Sequence, residues 1–405
     1  MSHAARLIAY VGSYGCAPGA TGGGVYALAV AADGSDLRLL SRVEEPKEAG
    51  YLVYAPETRT LYAVDERKTD GRGPVDPPAA VHAFVVEGDG ALRFLNSQNA
   101  PGPRPTFLDY HAGSRSLVCA NHGDFQHVEK VVRLPDGGWG TDYVYDDSTL
   151  LLYGLEVDGR IGALRDVHVF DGHGQDPNFS PQNGGHAQAS PHAHCAVIDP
   201  SGHHVIVCDK GTDRIHSFRF GDRLEPAATL QMAPETGPRH IAFDATGGHA
   251  FATLEFASEL AALRFDAETG AFTLVDRMST VASDPGRVNE PADVRIHRRS
   301  GCIYVNNRGE DSLAWFAFDG EKLSRRGAVP LAPSIHPGLA ARSFAFDPSG
   351  TFLLVADRPA HLVRAYGVDA TTGDLSPLTD FALPDPAFIA FVELDGAQQS
   401  AGDIG

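Results

Sequence analysis

The sequence lacks several features that would each indicate a particular class of protein. It has only five cysteines and no C-x-x-C pair, which excludes a zinc knuckle and a thioredoxin-type redox motif. No apolar run approaches the roughly 18 residues that a membrane-spanning helix needs. The first residues lead into an apolar strand without the hydrophobic region of a secretion signal. We therefore predict a cytoplasmic protein with reduced thiols and no membrane partner.

Basic residues are also scarce relative to acidic ones. The chain has 33 Lys and Arg against 52 Asp and Glu, which gives a net charge of -19. A chain this acidic repels polyanions, so nucleic acid is excluded as an expected partner. An anionic small molecule could bind only where basic side chains gather locally.

What the sequence does contain is a repeated pair of apolar runs joined by a turn. In the clearest copy, His194–Ile198 and His204–Cys208 flank the turn D-P-S-G, which begins at Asp199. Related turns begin at Ala55, His111, Asp244, His297 and Asp347. They are spaced roughly 45 to 56 residues apart, with one longer gap before Asp199. A period near 40–50 residues with several short strands per repeat is typical of propeller blades.

The two ends of the chain complement each other. Residues 8–14 resemble the second strand of a blade whose first strand is missing, and Pro386–Glu393 supplies a run of the missing kind. We therefore predict an all-β fold, a seven-bladed β-propeller closed by pairing of the N- and C-terminal strands in blade 1. Residues 1–394 are predicted to form this single domain, and 395–405 a flexible tail. The other six blades are expected near 50–97, 103–165, 190–231, 237–280, 290–330 and 340–383.

Two excursions account for the longer gap. Residues 121–146 extend blade 3, and residues 169–190 form a loop that is too long for a simple blade connection. The second excursion leads directly into His192 and His194. We predict that this insertion lies over one mouth of the central channel.

Ionisable residues recur at a fixed distance from the turns. Eleven residues after each turn residue come Glu66, His122, Lys210, Glu255, Arg308 and Arg358. Five residues before come Gly50, Thr106, His194, Arg239, Ala292 and Arg342. In a propeller these two offsets mark the end of the second strand and the start of the first strand of each blade, at the same end of the channel. The pattern predicts one polar mouth that forms a binding site. The alternative is that strand ends are polar because they meet solvent.

Four motifs carry a family resemblance: H-A-H-C-A-V-I-D-P-S-G, G-P-R-H-I-A-F-D, N-N-R-G-E-D-S-L and R-S-F-A-F-D-P-S-G. They resemble the seven-bladed lactonase family, which includes the bacterial propeller type of 6-phosphogluconolactonase and the fungal carboxy-cis,cis-muconate cyclase. The resemblance implies chemistry on lactones or muconates without a metal or other cofactor. The positions that match the family's proposed catalytic set are His194, Arg239, Glu255 and Arg308. Lys210 and Glu310 depart from the family pattern, which leaves the substrate more open than the fold.

Lactone opening needs a base for the attacking water and positive charge for the developing oxyanion. We predict Glu255 or His194 as the general base, and Arg239 and Arg308 as the groups that stabilise the oxyanion. The remaining residues of the mouth are predicted to bind substrate: His192, Asp209, Lys210, His240, Arg342, Arg358, His122 and Glu66.

Three alternatives stay open at this point. A divalent metal could be held by His173, His186, His192 and His194 with Asp176 or Asp209, but no recognisable ligand motif completes the set, so we predict none. The protein is predicted to hydrolyse a sugar-acid lactone; a carboxymuconate-type cyclase or isomerase and a non-catalytic binding propeller are the other readings. The absence of any Trp-Asp pair argues against the common scaffold propellers. The expected partner is a small lactone or carboxylate, and the protein is expected to be a monomer or a small homo-oligomer.

Overall fold

The described chain forms seven four-stranded antiparallel sheets and one additional two-stranded sheet. The structure is a computed structural model, which describes residues 6–16, 19–68, 79–175, 187–283, 286–335 and 337–394. Its seven sheets confirm the predicted seven-bladed β-propeller. The predicted tail, 395–405, lies outside the described residues.

The strands are numbered in chain order. Blade 1 contains β1 (Arg6–Ser13), β2 (Gly24–Val30), β3 (Leu37–Val43) and the final strand β30 (Pro386–Leu394). Blade 2 contains β4 (Leu52–Ala55), β5 (Thr60–Val64), β6 (Ala80–Val86) and β7 (Leu92–Asn99). Blade 3 contains β8 (Pro105–His111), β9 (Ser116–Asn121), β12 (Thr149–Leu155) and β13 (Ile161–Val169). The separate hairpin contains β10 (His127–Arg133) and β11 (Trp139–Tyr145).

The remaining blades use consecutive strands. Blade 4 contains β14 (Ala193–Ile198), β15 (His204–Asp209), β16 (Arg214–Phe220) and β17 (Leu224–Gln231). Blade 5 contains β18 (Pro238–Phe243), β19 (His249–Leu254), β20 (Glu259–Asp266) and β21 (Ala271–Ser279). Blade 6 contains β22 (Glu290–Ile296), β23 (Ile303–Arg308), β24 (Ser312–Phe318) and β25 (Leu323–Pro330). Blade 7 contains β26 (Phe344–Phe346), β27 (Phe352–Asp357), β28 (Leu362–Val368) and β29 (Leu375–Ala382).

The two ends of the described chain meet in blade 1. Strand β1 pairs antiparallel with β30, with Tyr10 opposite Ala390. An apolar cluster that includes Val11, Ile389 and Phe352 packs blade 1 against blade 7. Similar apolar clusters lie between the blades at each of the remaining six interfaces. Burial between the blades therefore continues around the ring, and neither terminal strand is left as an open edge.

Burial follows the position of each strand in its blade. The second strands β5, β9, β15, β23 and β27 are buried at every residue, because neighbouring blades cover both faces of the sheet. The outermost strands, such as β17, alternate between exposed and covered positions. This explains the uniform apolar runs that reveal the repeat in the sequence.

The turns that mark the repeat are held by their aspartates. Asp199 Oδ1 accepts hydrogen bonds from the backbone N–H groups of His203 and His204 at 2.9 and 2.6 Å. Asp347 does the same for the backbone four and five residues later. Gly202 follows in the left-handed region at φ 75°, a conformation that glycine adopts without strain.

The innermost strands are irregular near one end of the channel. In β18 two residues, Arg239 and His240, lie between Pro238 and Ile241, whereas only Thr253 lies between the paired residues of β19. Blade 6 repeats this bulge with Ala292 and Asp293. A register shift of one residue also occurs in β8, β14 and β30. A bulge bends the strand and redirects its side chains, so consecutive residues can both approach the channel.

The structure describes the whole of the first excursion, residues 121–146, but only the two ends of the second, residues 169–190. The first contains the hairpin β10–β11, which is inserted between β9 and β12 of blade 3 and forms a sheet of its own instead of extending that blade's sheet. Of the 169–190 insertion, residues 176–186 lie outside the described residues. Its described ends meet where Gly174 N–H donates to Gln188 O at 2.9 Å, and Gln188 Nε2 donates to Lys210 O at 3.0 Å. Coverage of the channel mouth by this loop stays a prediction.

Two further expectations concern cysteines and membrane spans. All five cysteines are free, four of them buried and Cys16 exposed. Within the described ranges, the helical segments are 3₁₀ turns at Pro337–Leu339 and Arg358–Ala360, and none is long and apolar enough to cross a membrane.

Candidate active site

The two sequence offsets converge on one mouth of the channel. A cavity of about 10 Å³, comparable with the space of one water molecule, lies just inside it. Five of the six residues found five positions before the turns line this cavity: Gly50, Thr106, His194, Arg239 and Arg342. Glu66, at the other offset, also lines it. Six residues from the two offsets are therefore brought together around one cavity, and their role as a binding site stays a prediction.

Glu255 is the centre of the charged part of this mouth. Lys210 Nζ donates to Glu255 Oε1 at 2.8 Å. On the other carboxylate oxygen, Oε2, Arg239 Nε lies at 2.8 Å and Arg308 Nη2 at 2.9 Å. The side chains of all four residues are at most 7% exposed, so these are buried ion pairs. We call Lys210, Arg239, Glu255 and Arg308 the carboxylate cluster.

The surrounding cations determine the protonation of Glu255. Burial alone would raise the pKa of this carboxyl group, but the three positive charges outweigh burial and hold the pKa well below its usual value. Burial also lowers the pKa of Lys210 and, together with the adjacent Arg308, lowers the pKa of Arg239 to about 9. Glu255 is therefore an anion, and its lowered pKa makes it a weak proton acceptor. Its Oε1 accepts a hydrogen bond from Lys210, whereas its Oε2 makes ion-pair contacts with the two arginines without hydrogen-bond geometry.

A second carboxylate joins the cluster from blade 6. Arg308 Nη2 lies 3.2 Å from Glu290 Oε2, and Arg308 Nε donates to the backbone oxygen of Glu290 at 3.1 Å. Burial raises the pKa of Glu290. Arg308 is therefore held from two sides, and its position is fixed before any ligand binds.

Histidines line the adjacent wall of the mouth. The ring of His122 stacks on that of His192 at 4.5 Å between centroids. His194 packs edge-on against His122 at 5.5 Å and against His240 at 5.1 Å. Phe125, from the loop before the hairpin, covers His192 at 4.6 Å. The four predicted histidines thus form one continuous row from the rim into the channel.

Burial keeps these histidines neutral. It lowers the pKa of His192 to about 3 and that of His240 to about 4, and it holds the pKa values of His122 and His194 well below the usual range. Nearby cations add to the effect, with Arg239 acting on both His194 and His240. The row presents uncharged nitrogen atoms at neutral pH.

The opposite wall carries a separate group of charges around Tyr14. Arg342 Nη1 donates to the Tyr14 hydroxyl at 2.7 Å, and that hydroxyl donates to Glu66 Oε2 at 2.7 Å. Arg358 lies over the Tyr14 ring at 4.5 Å and pairs with Asp385 at 3.4 Å. Glu66, Arg342 and Arg358 thus form their own set of ion pairs, although Glu66 and Arg342 line the same small cavity as Arg239.

Asp209 has a different environment from the rest of the predicted set. Its Oδ1 accepts the backbone N–H groups of His192 and Gly211 at 2.7 and 2.9 Å, and its Oδ2 accepts the Thr212 hydroxyl at 2.6 Å. The carboxylate therefore fixes the backbone around the mouth. Its predicted contact with substrate stays a prediction.

The metal alternative has no geometric support among the described residues. They contain no group of three or more His, Cys, Asp or Glu side chains that could hold a metal ion. His173 Nδ1 is engaged with Gly174 O at 2.6 Å. His186 and Asp176 lie outside the described residues.

Below the mouth the channel narrows to a waist. Tyr51 packs between Phe107 and Phe388, with ring centroids 4.1 and 3.9 Å apart. His240 packs edge-on against Phe107 at 5.3 Å, and its Nδ1 lies 3.1 Å from Asp293 Oδ1. Beyond the waist lies a wider cavity of about 660 Å³ at the other end of the channel, lined by Asp109 and Arg295 among others.

Sequence reasoning missed five residues of this region: Tyr14, Tyr51, Phe125, Glu290 and Asp293. Asp293 and Tyr51 had a usable signal, since the waist residues lie four positions before the turns: Tyr51, Phe107, Cys195, His240, Asp293 and Ser343. No sequence signal marks Tyr14 or Glu290. Tyr14 follows the end of β1 and Glu290 begins β22, and neither position lies at one of the repeated distances from a turn.

Comparison with known proteins identifies the chain's relatives. The family model described as "Lactonase, 7-bladed beta-propeller" matches residues 8–391. A protein of Bacillus subtilis named 6-phosphogluconolactonase is 25% identical over 96% of this chain and 99% of its own length. An uncharacterized protein of Staphylococcus epidermidis is 32% identical over 82% of this chain and 87% of its own length.

Solved structures show the same fold. A Lactobacillus plantarum protein superposes with a TM-score of 0.78 at 24% identity, covering 96% of this chain and 100% of its own. The periplasmic gluconolactonase of Pseudomonas aeruginosa superposes with a TM-score of 0.76 at 22% identity, covering 96% and 99%. At these identities the superpositions establish the architecture alone.

Proposed function

The chain belongs to the seven-bladed β-propeller lactonase family, and from this premise we propose that it is a lactone hydrolase whose active site is the mouth around the carboxylate cluster. The substrate class is a sugar-acid lactone, of which 6-phosphogluconolactone is the first candidate because relatives carry that name. The proposal extends to a cytoplasmic location and to catalysis without a cofactor.

One observation carries the proposal: Arg239 and Arg308 meet within 2.9 Å of the same oxygen of Glu255, inside a buried mouth. The chain as a whole carries a net charge of -19, so this concentration of cations is a local feature. Attack on a lactone carbonyl places negative charge on its oxygen, and preorganised cations in a water-poor site stabilise that charge. The arrangement suits acyl chemistry better than it suits a structural role.

Glu255 supports this chemistry by keeping the two arginines together. Without its charge, like-charged side chains would repel one another in a poorly solvated site. Because the surrounding cations lower its pKa, we assign Glu255 the role of holding the arginines rather than that of the base. This leaves His194 as the other base expected from the sequence.

The Tyr14 group supplies a second site for negative charge. Arg342 lies 3.6 Å from Glu66, and Arg358 lies 3.4 Å from Asp385, so both ion pairs are longer than those of the carboxylate cluster. A phosphate or carboxylate on the substrate can compete for such arginines. We propose that the reacting ring lies at the carboxylate cluster and the anionic tail at Arg342 and Arg358.

The experiment is a panel of lactones with a pH-indicator readout, because hydrolysis releases one acid group per turnover. It should include 6-phosphogluconolactone, unphosphorylated gluconolactone and an aliphatic lactone of similar ring size. Hydrolysis of the phosphorylated sugar lactone, with a kcat/KM at least about tenfold above that of gluconolactone, is the expected result. No hydrolysis of any lactone would contradict the proposal.

Assays on the same protein preparation also distinguish the two other functions that the sequence left open. A cyclase acting on a carboxymuconate would bleach the ultraviolet absorption of that substrate without hydrolysing lactones. A non-catalytic propeller would bind sugar acids, or a protein partner, with no turnover in either assay. No feature of the described mouth favours either alternative over lactone hydrolysis.

A further inference from the structure

The waist of the channel contains a pair of side chains that the arginine chemistry does not use. His240 and Asp293 occupy corresponding positions in the bulges of blades 5 and 6. The bulges bring them together across the blade interface, with His240 Nδ1 3.1 Å from Asp293 Oδ1. Both residues are almost fully buried, at 6% and 4% exposure.

Asp293 is itself fixed in one orientation. Its Oδ2 accepts a hydrogen bond from Arg295 Nε at 3.1 Å and from the Ser343 hydroxyl at 3.1 Å. Its backbone N–H donates to Asn306 Oδ1 at 2.8 Å. These contacts, with Arg295 foremost, outweigh the effect of burial and lower the pKa of Asp293 to about 2. Asp293 is therefore an anion that accepts the Nδ1 proton of His240.

That hydrogen bond determines which nitrogen of His240 can accept a proton. Because Asp293 holds the proton on Nδ1, the neutral ring presents Nε2 as a lone-pair acceptor. His240 Nε2 is buried and has no hydrogen-bond partner within the described part of the chain. Arg239 Nη1, on the preceding residue, is also buried and also has no hydrogen-bond partner among the described residues. Both residues line the small cavity inside the mouth.

We propose that His240 is the general base of the lactone hydrolysis proposed above, and that Asp293 is the residue that positions it. This assignment rests on the proposed function. Water in the small cavity attacks the lactone carbonyl carbon while its proton passes to His240 Nε2. The carbonyl oxygen takes the negative charge and is stabilised by Arg239. When the intermediate collapses, the ring C–O bond breaks, and the imidazolium returns the proton to the leaving oxygen, giving the hydroxy acid.

His240 suits this role better than the neighbouring bases. Asp293 accepts a hydrogen bond from His240 Nδ1 and acts to raise the pKa of His240. Among the described residues, His192 Nδ1 contacts a backbone oxygen and His194 Nδ1 has no hydrogen-bond partner, so neither ring is oriented by a carboxylate in this way. Charge on Arg239 is the second cause that lowers the pKa of His240, after burial. An oxyanion that binds Arg239 offsets this effect and strengthens the base at the moment when it is needed.

The test compares Asp293→Asn with Asp109→Asn. Both substitutions replace a channel carboxylate by an isosteric amide, but Asp109 contacts the backbone of Tyr110 and Ile198 instead of a histidine. We expect Asp293→Asn to lower kcat about 10²- to 10⁴-fold with KM within about threefold, because the amide favours the tautomer that carries its proton on Nε2. Asp109→Asn should keep kcat within about threefold.

A second readout reports the tautomer directly. Long-range ¹⁵N correlation spectra, with His240 assigned by the loss of its signals in His240→Gln, should show a protonated Nδ1 in the wild type and a protonated Nε2 in Asp293→Asn. Equal kcat in the two Asp→Asn variants, with lactone hydrolysis intact, would overturn the dyad alone. A wild type inert toward every lactone would overturn the proposed function and this assignment with it.

Discussion

Replacing Glu255 by glutamine tests the central electrostatic claim about the mouth. The substitution keeps the shape of the side chain but leaves three buried cations, Lys210, Arg239 and Arg308, without the anion they share at 2.8 to 2.9 Å. Removing one partner of a buried ion pair costs about 3–5 kcal/mol, because the remaining charge stays desolvated and unpaired. We expect Glu255→Gln to lose stability in this range.

A double-mutant cycle shows whether the loss comes from the cations. Lys210→Met removes one of the three cations, at 2.8 Å from Glu255, so the variant with both substitutions should be more stable than the sum of the single losses predicts, by about 1.5–3 kcal/mol. Glu290→Gln is the matched control: among the described residues Glu290 forms one ion pair, with Arg308 at 3.2 Å, so its loss should cost less.

Urea unfolding followed by circular dichroism measures these differences in a common buffer. Phosphate should raise the thermal midpoint of Glu255→Gln more than that of the wild type, because an anion can replace the missing carboxylate. Strict additivity in the cycle, or a Glu255→Gln loss no larger than that of Glu290→Gln, would refute the description of this cluster.

Three further predictions address catalysis, metal and pH. Arg308→Ala should lower kcat/KM about 10²- to 10³-fold on a lactone that the wild type hydrolyses, since one oxyanion donor is lost; steady-state kinetics would show it, and wild-type rates would contradict it. Dialysis against a chelator should leave kcat unchanged, and lost activity restored by one divalent metal would show that the prediction of no metal is wrong. Burial raises the pKa of Asp109 to about 6, so the folded state keeps a proton that the unfolded chain has released. Stability should therefore fall as the pH rises from about 4 to about 7, by at most about 2 kcal/mol because Asp109 is only half-buried, and Asp109→Asn should abolish that fall in a series of unfolding curves; an unchanged series would contradict it.

The ring could be predicted from the sequence because its causes are local and repeated. Each second strand is covered on both faces, which requires an unbroken apolar run, and each turn uses an aspartate to hold the backbone that follows. The closing strand could be predicted because β1 would otherwise leave an open edge beside an apolar surface. Properties fixed within one blade, or by the need to close the ring, are therefore visible in the residues.

The division of the mouth into separate groups could not be predicted in the same way. Glu255, Lys210 and Arg308 lie at equivalent offsets, so the sequence gives no reason for them to meet while Glu66 and Arg358 stay apart. Their grouping depends on side-chain length and on which neighbour is free. For example, the Tyr14 hydroxyl accepts a hydrogen bond from Arg342 and donates one to Glu66. The role expected for Glu255 changes for the same reason, because the number of cations around a carboxylate is a tertiary property.

The bulges explain why the mouth contains two adjacent residues with different tasks. In a regular strand, successive side chains face opposite sides of the sheet, so only one of Arg239 and His240 could reach the channel. The other would enter the interface between blades, where Ile241 and its neighbours pack. Because one extra residue lies opposite Thr253, Arg239 joins the carboxylate cluster and His240 meets Asp293 from the matching bulge of blade 6. Stabilisation of charge and transfer of a proton can therefore occur one residue apart on the same strand.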